Sequence, residues 1–530
     1  MALLAAFGCA REIVPDTNQD EKTDSEEIVV RLTAVRSSIA EEAIRSSIAE
    51  EDDSETKTAV GEDGKVLWEA GDKLKLVTDD GRIIITDALE AGGETATFTA
   101  TVTTADVLKW AVYPSDIEAG ISGESLTVKI PDTQDGTFGN SSIAAGEIQQ
   151  EGSTITLKNV CSLLRFTVPD NLTKAAKVNF GGNGLPMNGT VKVDGTSLES
   201  NYINTTSVQG AGIRVGVNVQ GPGTYYAAVL PNAFSGMTMQ VFDSEGAVLS
   251  ESITTSVVPA KRSVIKSLGT LREAPFNEKR FVTENGGGTK DGKSWENAWS
   301  FTDLQSKLKS TAFTNHIIFV TGGTITPTTS IVTLAKDTKF KMFGGYPSGL
   351  SGTDITCRDI LKNETVFSGM GSGTTDRRLF NYHGSASETL MDGITLANTY
   401  QEATGNSFTG TCVIVGVSAT AVFVNCTFRN NTKVGNAIIR GGDDTAGKVT
   451  VKLTLDRCTF KDNNVSGIAL LHCKPGCTLN VKDCDFSSGN VVSGDGNPYR
   501  VSYQTGGVVN FSGNNVFASN QVSGPYKPNN

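Results

Sequence analysis

Chemistry at a protein site starts from carboxylates, imidazoles, thiols and guanidinium groups drawn together. This 530-residue chain offers such groups in only a few places. The outward acids expected near the coils of its C-terminal half are few: Asp376, Asp392, Asp443, Asp444, Asp456, Asp462, Asp483 and Asp485. Hydrolysis of a glycosidic bond needs two carboxylates flanking that bond. Asp456 and Asp483 stand two and one residues before the cysteine of a recurring motif, so they differ in facing and make no clean row. Asp376, Arg377 and Arg378 could meet a polyanionic glycan or form a solvated turn. His472 beside Cys473-Lys-Pro-Gly-Cys477 leaves open a disulfide-closed loop or a zinc site. With three histidines in the whole chain, the metal is the weaker option, and no metal site is assigned. No catalytic set assembles, which points away from an enzyme.

The elements that must position these groups are set by a ladder. Its copies are Ile394-Thr395-Leu396-Ala397-Asn398, Cys426-Thr427-Phe428-Arg429-Asn430, Cys458-Thr459-Phe460-Lys461-Asp462 and Cys484-Asp485-Phe486-Ser487-Ser488. Each puts two apolar side chains at i and i+2, then a turn-prone residue. They start 32, 32 and 26 residues apart, too far for hairpins and about right for one coil of a solenoid. A coil cannot bury its apolar face alone, so neighbours must stack. The spacing predicts a right-handed, single-stranded parallel β-helix with Cys426, Cys458 and Cys484 in one internal column. Phe428, Phe460 and Phe486 form another, below Ile394 and Leu396, at a coil spacing of about 4.8 Å. Stacked inward thiols then act as small hydrophobes.

The remaining sequence reads as β structure with an exported address. Net charge is −12, which disfavours a nucleic-acid partner because phosphate binding needs clustered Lys and Arg. Residues 1–9 end in Ala6-Phe7-Gly8-Cys9, similar to the tail of a lipoprotein signal, with Cys9 as the lipidated residue. Residues 10–57 are charged and poor in aromatics, and read as a disordered or partly helical tether. Short alternating runs then predict two antiparallel β-sandwiches, over 58–170 and 171–272, and a linker over 273–280.

Three motifs carry a resemblance. Leu67-Trp68-Glu-Ala-Gly71-Asp72-Lys-Leu74, Ile130-Pro131-Asp-Thr-Gln134 with Phe138-Gly139-Asn140, and Leu157-Lys-Asn-Val-Cys161-Ser-Leu-Leu-Arg-Phe166 together resemble the fimbrillin-like surface lipoproteins of Bacteroidetes. The resemblance implies a lipid anchor in the outer membrane, facing the cell surface. In some members an arginine-specific protease removes an N-terminal strand and opens a groove for donor-strand exchange between fimbrial subunits. Arg31, Arg36 and Arg45 would suit such cleavage.

Residues 281–530 follow another order. Trp295-Glu-Asn-Ala-Trp299, a helical Leu304-Gln-Ser-Lys-Leu308, Ile317-Ile-Phe-Val320 and Phe343-Gly-Gly-Tyr-Pro347 resemble pectate-lyase-like β-helix proteins. The Leu304 segment and Trp295 read as an N-terminal cap, with ligand stacking on Trp295 or Trp299 the alternative. Lyases of that fold hold calcium on clustered acids and use an Arg or Lys base; calcium is expected here only under a lyase reading, and otherwise no cofactor. The expected function is that of an adhesin or fimbria-associated component binding glycan or a host surface protein. The alternative is a polysaccharide lyase or glycoside hydrolase carried on a stalk.

Overall fold

The structure is a computed structural model. It describes residues 26–43, 64–149, 154–194, 198, 208–310, 313–327, 332–369, 376–382, 386–401, 411–434, 436–443, 445, 447–493 and 500–526. The chain is all-β with many sheets and divides into two units, Met1–Pro275 and Phe276–Asn530.

The N-terminal unit departs from the expected tether at its first strand. Glu27–Arg36 alternates exposed and buried side chains, with Ile28, Val30, Leu32 and Ala34 facing in. It lies inside a seven-stranded sheet, antiparallel to Thr95–Thr103 and parallel to Ile155–Asn159. Ala40–Ala43 then runs parallel to Val264–Thr270. Period-two alternation of apolar residues outweighs the charged composition of the flanks, so residues 27–36 and 40–43 are strands and not tether.

A boundary at residue 170 is also absent. Ser162–Val168 pairs with Gly223–Val229 and Val264–Thr270, Asn188–Val193 pairs with Ser125–Ile130, and Thr133–Gln134 pairs with Arg214–Asn218. One buried cluster accordingly mixes Trp110, Val128 and Leu163 with Val191, Tyr226 and Ile265. The two predicted segments exchange strands and share a core. Two other clusters gather around Trp68 with Phe98 and Tyr113, and around Phe166 with Phe180.

One side chain splices these layers. Gln134 donates from Nε2 to the Ala228 carbonyl at 2.8 Å and accepts the Ala228 N–H on Oε1 at 2.7 Å, imitating a strand pair while buried. Gln134→Ala orphans both groups and is expected to cost about 1–3 kcal/mol. Denaturant titration followed by tryptophan fluorescence measures it; an unchanged midpoint would contradict this splice.

Between Lys339 and Gln504 the chain of the C-terminal unit visits four sheets in turn, adding one strand to each per passage. The first sheet contains Lys339–Tyr346, Glu388–Asp392, Ala419–Val424, Val451–Asp456, Cys477–Lys482 and Val508–Ser512 in parallel neighbours. The second contains Thr365–Ser368, Ile394–Ala397, Thr427–Arg429, Thr459–Lys461 and Asp485–Ser488. The third is short: Asp376–Arg377, Tyr400–Gln401, Thr432–Val434, Asn464–Ser466 and Val491–Val492. The fourth runs from Val332–Leu334 through Val413–Val415, Ile439–Gly441, Leu471–Cys473 and Arg500–Gln504 to Val522–Tyr526.

Corners between the first and second sheets turn on one left-handed residue: Gly393, Asn425, Arg457 and Asp483 in successive passages. Corners after the second sheet use Asn398, Asn430, Asp462 and Gly489. Asn and Asp tolerate this conformation better than most residues, which explains the turn-prone residue closing each copy. In the last copy the strand is one residue longer, and the left-handed position moves from Ser488 to Gly489.

Inside, Phe428 stacks on Phe460 at 4.7 Å and Phe460 on Phe486 at 4.8 Å, with Phe517 continuing at 5.6 Å. Ile394, Leu396, Cys426, Cys458 and Cys484 are buried in the same core, which extends through Phe367 to Ile325. The helix Phe301–Leu308 has a complete capping box between Ser300 and Asp303 and buries Phe301, Leu304 and Leu308 in this core. Trp295 is 3% exposed and donates to the Asp354 carbonyl at 3.0 Å, and Trp299 is 6% exposed. Neither ring has an open face for a ligand.

Candidate binding surface

The third sheet presents the clearest outward column. Tyr400, Thr432, Asn464 and Val491 are in register across four strands, while Gln401, Val465 and Val492 face the core. Tyr400 and Thr432 are half-buried; Asn464 and Val491 are exposed. Asp376–Arg377 ends this sheet and runs antiparallel to it, with Asp376 opposite Gln401 and Arg377 opposite Tyr400. Arg378 follows, half-buried. The topology therefore places Arg377, one of the residues singled out by sequence, at the register position opposite Tyr400, an aromatic residue that sequence reading missed. No local motif marks Tyr400, since its position depends on the sheet register.

A second outward column, Thr395, Thr427, Thr459 and Asp485, lies on the second sheet. Glu364 crosses it, accepting from Thr395 Oγ1 at 2.7 Å and pairing with Arg429 at 2.9 Å. Lys461 sits one coil below Arg429.

The acids are spent separately. Asp392 is buried against Arg358 at 2.8 Å. Asp456 is pushed up by burial, opposed by Arg457 at 2.8 Å. Asp462 and Asp483 occupy left-handed corners, and Asp483 accepts the Asn514 N–H at 2.7 Å. Asp485 accepts from the Ser487 N–H and hydroxyl at 2.8 and 2.6 Å. Asp443 accepts the Thr445 N–H at 3.0 Å, and Asp444 lies outside the described residues. Among the described residues, no three His, Cys, Asp or Glu side chains are grouped to hold a metal.

The zinc option separates along one strand. Within Leu471–Cys473 side chains alternate, so Cys473 joins the core while His472 takes the opposite face. His472 meets Asn436 Oδ1 at 2.8 Å and Thr505 Oγ1 at 3.1 Å, and its ring packs edge-on to Tyr503 at 5.5 Å. Arg440 precedes it by one coil, and Arg500 lies over the Tyr503 ring at 5.3 Å. This outward yet buried polar row was not legible in sequence, because its members lie 31 and 32 residues apart with no shared motif.

In the N-terminal unit, Arg31 is exposed on its strand. Arg36 is buried, donating to the Ser142 carbonyl and hydroxyl at 2.6 Å each beneath a 4.4 Å contact with the Tyr113 ring. Cys9 and Arg45 lie outside the described residues. A cleft of about 350 Å³ in this unit is lined by Lys129, Asp132, Asn188, Thr190 and Gln209.

A scan of protein-family models found no match, and a search of curated proteins found none. Among solved structures, a proposed cell adhesion protein of Bacteroides ovatus aligns at 12% identity over 38% of this chain and 83% of its own, with a TM-score of 0.26. A proposed cell adhesion protein of Bacteroides fragilis aligns at 11% identity over 45% of this chain and 92% of its own, with a TM-score of 0.21.

Proposed function

We propose that this chain is a fimbrillin-like surface lipoprotein, anchored in the outer membrane through Cys9, whose C-terminal unit is a right-handed parallel β-helix that binds glycan or a surface protein. The observation that carries the reading is the third-sheet column of Tyr400, Thr432 and Asn464 ending beside Asp376–Arg377. Aromatic, hydroxyl and amide groups spaced at about 4.8 Å suit an extended polar ligand lying along the coils. Right-handedness follows from the strong preference of parallel crossovers. The N-terminal sandwiches serve as the mount.

The strand Glu27–Arg36 supports a donor-strand role. It pairs from Glu27 to Val35 along the whole of Thr95–Thr103, so its release would expose a groove of matching length. Arg36 is the least suitable cleavage point because its guanidinium is engaged inside the fold. Arg45 follows both N-terminal strands, so a cut there would detach them together.

The test incubates the full chain with a panel of host and plant polysaccharides, with and without calcium, and reads retained glycan and newly formed chain ends. Retention without new ends is expected. Tyr400→Ala should lower that retention about tenfold, roughly 1.4 kcal/mol. Calcium-dependent unsaturated ends would replace the adhesin reading with a lyase.

A further inference from the structure

Two thiols differ in setting from the stacked ladder. Cys473 ends the strand Leu471–Cys473 and Cys477 opens the strand Cys477–Lys482, so one corner carries both. The turn between them is closed by the Cys477 N–H donating to the Lys474 carbonyl at 3.1 Å. Cys473 Sγ lies 3.3 Å from the Cys477 carbonyl and 3.2 Å from the Val508 carbonyl. The neighbouring Cys473 thiol, with burial, pushes the Cys477 thiol up.

The neighbouring coils leave room for this pair. A Cβ added at Gly441 would fall 2.5 Å from Cys477 Sγ, and one at Gly507 would fall 2.7 Å from Cys473 Sγ. The two sulfurs therefore fill gaps that glycines leave on either side. The turn Lys474-Pro475-Gly476 is itself half-exposed to exposed, so a small local opening uncovers both. Cys426, Cys458 and Cys484 differ in arrangement: all five thiols share the phenylalanine core, but these three stand one per coil, each donating to a carbonyl of the preceding coil at 3.4, 3.4 and 3.5 Å, whereas Cys473 and Cys477 share one turn.

We propose that Cys473 and Cys477 form a reversible dithiol–disulfide pair that staples the corner between the fourth and first sheets when oxidised. The oxidant is a disulfide-bearing thiol compound or oxidoreductase. One protein thiolate attacks the oxidant disulfide, forming a mixed disulfide and releasing one thiol. The second protein sulfur then displaces the other oxidant thiol, so the protein loses two hydrogens and the oxidant gains them. The closed turn and the 3.3 Å approach of Cys473 Sγ to the Cys477 carbonyl bring the two residues together, and a disulfide demands such a short separation. The closed loop is small, so its effect is local pinning of two strands.

Oxidised glutathione is the probe. The full chain is equilibrated with it, unfolded in an alkylating reagent, and analysed by intact mass and peptide mapping. The expected result is loss of two alkylatable thiols, a linkage mapped within Cys473–Cys477, and full recovery on dithiol reduction. Alkylation of both Cys473 and Cys477 after oxidation, a linkage to any other cysteine, or failure to reverse would overturn the proposal.

Discussion

Replacing Phe460 by alanine is expected to destabilise the C-terminal unit by about 3–5 kcal/mol. The ring is fully buried between Phe428 at 4.7 Å and Phe486 at 4.8 Å, inclined to them by 9° and 21°. Each neighbour is fixed by its own strand, in register with Phe460 on one side and one short strand away on the other. Neither can slide into the vacated space without breaking a ladder, so the cavity stays open, and the cost combines lost transfer energy with lost contacts. Phe460→Leu should retain most of the stability because it keeps much of the volume. Chemical denaturation of both variants, read by far-UV circular dichroism, measures the difference. An alanine variant within about 1 kcal/mol of the parent would mean that the stack adds little to cohesion between coils.

The phenylalanine column was legible because a coil repeats its inward positions in sequence, and stacking turns that repeat into spatial register. What escaped was everything set by register alone. Asn431, Asn463 and Asn490 form a second internal ladder: Asn431 Nδ2 donates to Asn463 Oδ1 at 3.0 Å, and Asn463 Nδ2 donates to Asn490 Oδ1 at 2.8 Å. Each also satisfies a carbonyl of the preceding coil, Leu396, Phe428 and Phe460 in turn. In sequence these asparagines look like ordinary corner residues, and only stacking makes them a chain, buried at Asn431 and Asn463 and half-buried at Asn490. The strand Glu27–Arg36 escaped for the opposite reason. Its alternation was visible, but the acidic residues around it dominated the composition. The interleaved N-terminal sheets show the same limit, since alternating runs identify strands without naming partners. Tyr400 and the row Arg440, His472 and Tyr503 likewise gained neighbours only through parallel pairing.

Asp392→Ala is expected to cost a comparable 3–5 kcal/mol, because it removes one partner of a buried ion pair. Arg358 is completely buried; its Nη2 donates to both the Asp392 carboxylate and the Asp392 carbonyl at 2.8 Å, and its Nε donates to the Gly344 carbonyl at 2.7 Å. Without the carboxylate, the guanidinium keeps two carbonyls and the Phe343 ring at 5.4 Å, which do not neutralise its charge. The damage should spread down the corner. Asn425 donates to Asp392 Oδ1 at 3.0 Å and accepts from Arg457 Nε at 3.3 Å, so the next two corners are tied to the same carboxylate. The double variant Arg358→Met with Asp392→Leu separates charge from packing. If the penalty of the single variant is an uncompensated charge, the double variant should recover most of the stability. If it is no more stable than Asp392→Ala, the hydrogen bonds to Gly344 and Asn425 hold the corner more than the ion pair does. Urea titrations of the parent, single and double variants distinguish the two, and additivity of Asp392→Leu alone with Arg358→Met alone in the double variant would show that the pair is not coupled.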